Sequence, residues 1–221
     1  MINQIHLGDC LDFMREMPDK CVDLVLTDPP FGMKFQSGRR EERHEKIDGD
    51  DNLDWLPQWA EETFRILKED GQAYIFCSWH KVDIFKTEIE KHAKIKNILI
   101  WMKNNHGSGD LFADFAPQYE MIIFVNKLNK HLIGKRESNI LKFQKTDNAL
   151  HPTQKPIDLI GYIASKSISS GTVFDPFSGS GTTAIACHDL GLDFICVEKD
   201  PDYHAASVKR LEEHKRQGRL F

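Results

Sequence analysis

The stretch Asp175-Pro-Phe-Ser-Gly-Ser-Gly-Thr-Thr183 decides the fold. Ahead of it, Thr172 to Phe174 (TVF) reads as a short strand that stops at Asp175-Pro176. Behind it, a helix runs to Gly191, the kind of residue that ends one. Strand, glycine-rich turn and helix in that order form one unit of a parallel α/β sheet. Gly179 and Gly181 let the backbone turn tightly and approach a ligand closely.

Outward from that unit, strands and helices alternate. Val22 to Thr27 (VDLVLT) is a nearly continuous apolar run, as expected of a strand covered on both faces. Leu53, Leu56, Trp59, Ala60, Phe64 and Leu67 recur at helical spacing, with Gly71 as a stop. Ala73 to Cys77 predicts a second buried strand, Val82 to His92 a helix, and Ile95 to Met102 and Met121 to Val125 two further strands. Pro156 opens a helix whose apolar face is Ile157, Leu159, Ile160, Ile163, Ala164 and Ile168. Phe194 to Val197 is a strand ending at Glu198, and Asp200-Pro201 opens the last helix. The pattern is α/β and doubly wound, with the ligand expected at the C-terminal strand ends. No internal repeat is present. Gln36 to Asp51 is charged and nearly without apolar residues, and Asn104 to Pro117 starts rich in Gly and Asn. Both follow strand ends and read either as loops over the site or as plain solvated surface.

The chain has 221 residues, which suits one domain with one sizeable core. No stretch is apolar enough to span a membrane, and the start MINQIHLGDC is not a secretory signal. The five cysteines form no Cys-x-x-Cys pair and there is no His-Glu-x-x-His, so a reducing cytoplasm and no metal are expected. A net charge of −5 excludes a uniformly basic nucleic-acid binder but not a local basic face. Lys127, Lys130, Lys135, Arg136, Lys142 and Lys145 lie in the most basic stretch outside the C-terminal tail. They read as a DNA-phosphate surface or as a solvated lysine-rich loop.

Two motifs carry chemistry. Gly179-Ser-Gly181-Thr-Thr-Ala184 fits the G-x-G-x-x-A dinucleotide pattern, and Glu198 is near the distance of a ribose contact, so a nicotinamide-dependent oxidoreductase is a rival reading. Asp175 argues against it. A carboxylate before the glycines would repel a pyrophosphate and would suit S-adenosyl-L-methionine, which has no phosphate and carries an ammonium and a sulfonium. A Walker-type loop is excluded, because no Gly-Lys-Ser/Thr follows. The second motif is Asp28-Pro29-Pro30-Phe31. An exocyclic base amine is a poor nucleophile, its lone pair being delocalised into the ring. The Asp28 carboxylate and the Pro29 carbonyl could accept both amine hydrogens, and the prolines bring no competing N–H. Phe31 offers a face to a base taken out of the duplex.

Together the motifs make the sequence similar to the amino-methylating DNA methyltransferases, which act on adenine N6 or cytosine N4. Asp28-Pro-Pro-Phe31 resembles their catalytic motif and Asp175-Pro-Phe-x-Gly-x-Gly181 their cofactor motif. Catalytic before cofactor motif is the order of the β class, a circular permutation. His151-Pro-Thr-Gln-Lys-Pro156 is similar to the segment lining the methionine end of the cofactor, and Gly8-Asp9 to the adenine-contacting acidic position. The resemblance implies a Rossmann-like, circularly permuted, seven-stranded sheet in one domain over residues 1–221, with a short target-recognition insert at 128–150. It implies that Asp28, Pro29, Pro30 and Phe31 bind and activate the base. It assigns Asp9, Asp28, Thr153, Gln154, Lys155, Asp175, Phe177, Gly179, Gly181, Thr182 and Glu198 to the cofactor. Asp9 reads equally as the cap of a helix over Cys10 to Met17. The expected reaction is direct in-line transfer from S-adenosyl-L-methionine to a flipped base in double-stranded DNA. Adenine N6 is expected because the motif opens with Asp where cytosine N4 enzymes more often carry Ser. A homodimer, a cognate restriction endonuclease and a bacterial or phage origin are the further implications. Cytosine carbon-5 methylation is disfavoured, since no Pro-Cys is present. An RNA or protein-glutamine methyltransferase and a non-enzymatic DNA-binding protein are the remaining rivals.

Overall fold

The run Val22–Thr27 lies at the centre of the sheet, and its alternation divides the core. The computed structural model describes residues 1–31, 52–106, 112–145 and 154–218. Its elements are β1 (Gln4–Leu7), α1 (Cys10–Glu16), β2 (Val22–Thr27), α2 (Leu56–Ile66), β3 (Leu67–Cys77), α3 (Val82–Ile89) and β4 (Ile95–Met102). They continue with β5 (Tyr119–Asn126), β6 (Ile140–Lys142), α4 (Ile157–Ser167), β7 (Thr172–Asp175), α5 (Thr182–Leu190), β8 (Asp193–Glu198) and α6 (Pro201–Gln217). Leu24 and Leu26 of β2 pack with Leu159, Ile160 and Ile163 of α4, Ala184 and Ile185 of α5 and Leu211 of α6. Val22 and Val25 pack on the other face with Met14 of α1, Trp59 and Phe64 of α2, and Phe85 and Ile89 of α3. From Leu24 to Leu26 successive side chains point to opposite faces, and the irregularity between Val22 and Leu24 puts Val22 on the Val25 face, so one apolar run serves two helical layers.

The sheet order is β1-β8-β7-β2-β3-β5-β4-β6. All pairings are parallel except those of β5, which runs antiparallel to both β3 and β4. From β7 the chain moves outward to β8, and from β2 it moves outward the other way to β3. The strand order therefore reverses between β2 and β7, and a crevice opens at their C-terminal ends.

Among the described residues the sheet has eight strands, one more than the seven expected. The added strand, β6, lies inside the 128–150 segment and pairs with β4 (Ile100↔Ile140, Trp101↔Leu141, Met102↔Lys142). With three residues, of which only Leu141 is buried, it is too short to show a period. β3 also begins earlier than expected, at Leu67, so Gly71 falls within the strand. Its pairing with β2 shifts register between Val22↔Leu67 and Leu24↔Gln72. The helix read from Val82 to His92 ends at Ile89.

The edge opposite the crevice is tied by Asp23, whose carboxylate accepts from Thr172 N at 2.9 Å and from Lys68 Nζ at 2.8 Å. Gly171 there has φ +121, and a Cβ would fall 2.5 Å from Asp23 Oδ2. Gly171→Ala is expected to lower unfolding free energy by roughly 1–3 kcal/mol, read from the urea midpoint. An unchanged midpoint would show that this turn relaxes without cost.

Candidate active site at the ends of β2 and β7

Asp28 and Asp175 lie far apart in sequence and are brought together by the pairing of β2 with β7 (Leu24↔Val173, Val25↔Phe174). Asp175 is 4 % exposed, and both its oxygens are taken. Oδ1 accepts from Thr27 Oγ1 at 2.9 Å and from Phe177 N at 3.2 Å, and Oδ2 accepts from Thr183 Oγ1 at 2.6 Å. Burial pushes its carboxyl up to about 6, the hydrogen bonds from Thr183 and Thr27 holding it from rising further. Asp175 thus joins β2, β7 and α5.

The glycine-rich turn uses its own N–H groups. Besides Phe177 N on Asp175, Ser178 N donates to Val197 O at 2.9 Å, Gly179 N to Glu198 Oε2 at 2.7 Å and Gly181 N to Ser178 O at 2.9 Å. Gly179 and Gly181 have φ of 50 and 75. A Cβ on Gly181 would lie 3.1 Å from Ser207 Cβ of α6 and 3.2 Å from Ile5 Cδ1 of β1, so the close approach there is to the protein itself. Glu198 Oε1 accepts from Asp200 N at 3.0 Å, and burial raises the Glu198 carboxyl above its ordinary value. Asp9 caps α1, with Oδ1 accepting from Leu11 N at 2.9 Å. It also stands beside Glu198, since Leu7 pairs with Glu198 and Gly8 N donates to Glu198 O. Phe177 packs on Trp55 and Trp59, with ring centroids 5.5 and 6.1 Å apart.

Asp28 follows β2 directly. Its Oδ2 is ion-paired with Lys155 Nζ, and its Oδ1 is buried with no hydrogen-bond partner among the described residues. Burial pushes the Asp28 carboxyl up to about 6 against the opposing pull of Lys155. Burial disfavours the Lys155 charge, but Asp28 and Glu120 outweigh it and leave the ammonium above its usual value. Lys155 therefore stands against Asp28 of the Asp-Pro-Pro-Phe motif, and its backbone carbonyl accepts from Thr182 Oγ1 at 3.3 Å. Gln154 Oε1 is buried without a partner among the described residues. Pro29 is buried; Pro30 and Phe31 are partly buried, and Phe31 packs against the core cluster that holds Leu24, Leu26 and Trp101. Thr153 and His151 lie outside the described residues, as do Gln36 to Asp51 and, within Asn104 to Pro117, residues 107–111.

Four site residues, Glu120, Lys103, Arg210 and Trp79, are not evident from sequence. Glu120 is the second residue of β5, with Oε1 2.6 Å from Lys103 Nζ and Oε2 3.3 Å from Lys155 Nζ. Arg210 of α6 donates to Ser180 O at 2.8 Å and to Thr182 Oγ1 at 3.2 Å. Trp79, 53 % exposed just past β3, stacks on His80 at 3.7 Å. Glu120 carries one signal, a lone carboxylate at the mouth of the apolar run MIIFV.

The basic set divides. Lys142 ends β6 opposite Met102, and Lys145 N donates to Asn104 Oδ1 at 3.0 Å, so both stand on the edge that carries Asp28. Lys127 Nζ donates to Leu67 O at 3.1 Å and Lys130 Nζ lies 3.2 Å from Asp70, at the opposite edge. Lys135 and Arg136 precede β6 on that same far side, where Lys135 O faces Lys166 Nζ near the end of α4.

A strand-end Asp-Pro-Pro-Phe beside a glycine-rich turn, at the switch point of a doubly wound sheet, defines an amino-methylating methylase. The chain belongs to the N6/N4 DNA methylase family, whose model matches residues 22–209. It is 31% identical over 206 residues to the Escherichia coli (strain K12) protein YubD, covering 92% of this chain and 88% of that one. It is 29% identical over 239 residues to the type II methyltransferase M2.MboI of Moraxella bovis, covering 95% and 87%. The crystal structure of the M1.HpyAVI–SAM complex superposes with a TM-score of 0.72 at 27% identity, covering 94% of this chain and 98% of that one. Among the described residues no helix is long and apolar enough to cross a membrane.

Asp175 predicts a pH effect. Below about pH 3 it is largely protonated folded or unfolded, and its shift contributes nothing. Above pH 6 its charge is worse placed folded than unfolded, a cost that reaches about 3 kcal/mol for a rise from 3.8 to about 6. Asp175→Asn lacks that titration. Its unfolding free energy minus that of the wild type should therefore climb from about pH 4 to pH 7 in urea titrations, on top of a constant loss of hydrogen bonding. A pH-independent difference would contradict the buried-carboxylate account.

Proposed function

We propose that the chain methylates the N6 amine of adenine in double-stranded DNA, with S-adenosyl-L-methionine as donor and the target base turned out of the duplex. The observation that carries this reading is Asp28 Oδ1, a buried acceptor without a partner among the described residues, directly before two prolines.

The turn fits this cofactor better than a dinucleotide. A pyrophosphate needs free N–H groups at a helix N-terminus. Here those of Phe177, Ser178, Gly179 and Gly181 are spent within the protein. What faces a ligand from this edge is acceptor-rich: Glu198 at the end of β8, Asp28 after β2 and Gln154 Oε1. That set suits ribose hydroxyls and a cationic ammonium and sulfonium. Glu198 would hold the ribose, with Asp9 on the adjacent strand end toward the adenine. Phe177, Gly179, Gly181 and Thr182 would shape the cleft, with Thr153, Gln154 and Lys155 toward the methionine end. Asp175 would act by fixing the turn, since it is buried within it, whereas Glu198 is only partly buried.

S-adenosyl-L-methionine supplies a methyl group made electrophilic by its sulfonium. Asp28 Oδ1 and the Pro29 carbonyl accept the two amine hydrogens. Neither Pro29 nor Pro30 carries an N–H to compete, and the rings fix the chain that presents both acceptors. With its hydrogens held, the amine pyramidalises and its lone pair is freed for the methyl carbon. As nitrogen gains the methyl it must lose one proton, and Asp28, raised to about 6, is the adjacent base. No enzyme nucleophile is needed. The neighbouring Cys77 thiol is pushed up to about 12 by burial and the Asp28 charge, so it stays neutral. Phe31 and the exposed Trp79 supply aromatic surface at the same edge for an extruded base.

Expression in an unmethylated host, followed by digestion of its DNA to nucleosides and mass spectrometry, tests the base. N6-methyladenine is expected, and N4-methylcytosine alone would overturn the adenine assignment. Asp28→Ala should abolish transfer while S-adenosylhomocysteine affinity stays within about tenfold, or about 1.4 kcal/mol. Joint loss of both would move Asp28 into the cofactor site. For DNA binding, Lys142 and Lys145 are the members of the basic set on the active edge. Reversing both charges should lower the slope of log affinity against log salt by about one unit for each phosphate no longer neutralised. Reversing Lys127 and Lys130 should leave the slope alone, and the opposite ranking would place DNA on the far edge.

A further inference from the structure

Glu120 arrives at the active edge because β5 runs antiparallel to its neighbours. Its two oxygens face different lysines, Oε1 toward Lys103 at 2.6 Å and Oε2 toward Lys155 at 3.3 Å. Lys155 is 7 % exposed, lies 5.0 Å over the Phe76 ring and is ion-paired with Asp28 as well. The charges therefore alternate along one line: Lys103, Glu120, Lys155, Asp28. The line ends at Asp28 Oδ1, buried and without a hydrogen-bond partner among the described residues.

We propose that Glu120 is a positioning residue for methyl transfer. It shares the Lys155 ammonium with Asp28, and so leaves Asp28 anchored through Oδ2 while Oδ1 keeps enough negative charge to take the target amine. Lys103 holds Glu120 for that purpose. The proposal rests on the reading that Asp28 receives the amine.

The physical reason is the strength of a charged acceptor. A carboxylate paired one-to-one with a buried ammonium spends its charge on that partner and is a weaker acceptor for anything else. A second carboxylate on the same ammonium restores the balance. The electrostatics agree in sign. Apart from burial, Glu120 raises the Asp28 carboxyl, whereas Lys155 and Lys103 lower it. Asp175 on β7 and Cys77 on β3 also feel the Asp28 charge. Both are unchanged in the variants below.

The test is the acid limb of kcat/KM for duplex DNA at saturating S-adenosyl-L-methionine, which reports the base of the enzyme before DNA binds. Glu120→Gln should lower kcat by roughly ten- to a hundredfold and move the limb to lower pH. Lys103→Met should move it to higher pH. Glu120→Asp, which keeps the charge, should restore a limb near that of the wild type. Opposite displacements in Glu120→Gln and Lys103→Met are outside the reach of a merely structural role. Limbs that stay put, or that move together, overturn the proposal. Asp28→Asn separates the two levels: if it still methylates, the reading of Asp28 itself fails. If it is dead while the other limbs stay put, only the role of Glu120 fails.

Discussion

The carboxylate of Asp175 is the knot on which the site depends. It is buried where the end of β7, the end of β2, the glycine-rich turn and the start of α5 meet, and a hydroxyl or N–H from each of the last three closes on it. A carboxylate taken from water is tolerable only when its oxygens are satisfied, so its burial and the convergence of these elements require each other. Thr27, one of its partners, is the residue before Asp28. The knot therefore sets the distance between the Asp28-Pro-Pro-Phe31 motif and the turn, although Thr27 and Asp175 are 148 positions apart in the chain. The β2–β7 pairing removes that separation in space.

Most of the architecture is legible because the central strands are short apolar runs ending in chemistry. VDLVLT stops at Asp28 and TVF stops at Asp175. Two such ends in a doubly wound sheet belong at the switch point, so motif and topology point to the same crevice. The direction of β5 is not legible. Strand patterning reports which face is buried and carries no sign for which way the chain runs. In a parallel sheet the residue before a strand lies far from the active edge. On that default, the start of β5 would sit away from Asp28, and nothing would draw Glu120 into the site. The reversal of one strand brings both Glu120 and the end of β4, with Lys103, to Asp28.

The basic stretch shows the same limit from another side. Lysines close in sequence read as one surface. β6 interrupts them: it pairs with the last three residues of β4 and runs toward the edge that carries Asp28, so Lys135 and Arg136 come before it and Lys142 and Lys145 lie at and beyond its end. A strand rises about 3.3 Å per residue, so β6 itself spans about 10 Å toward that edge. Lys127 and Lys130 have local duties instead, at the carbonyl ends around Leu67 and at Asp70. Charge counting along a sequence finds such a stretch but cannot divide it.

The glycine-rich turn explains why two ligand classes look alike in sequence. Glycines at positive φ before a helix are needed wherever the chain doubles back tightly, whatever the ligand. What distinguishes the classes is where the turn's N–H groups go. In a phosphate site they stay free to point at the anion. Here Asp175 and Glu198, one from each flanking strand end, collect two of them and backbone carbonyls collect two more. The turn is thereby shaped without a ligand, and the helix dipole faces carboxylates already in place. A turn built this way has four of its N–H groups already spent within the protein, beside the carboxylates of Asp28 and Glu198. Its selectivity for a cationic cofactor thus follows from the same hydrogen bonds that hold the turn together.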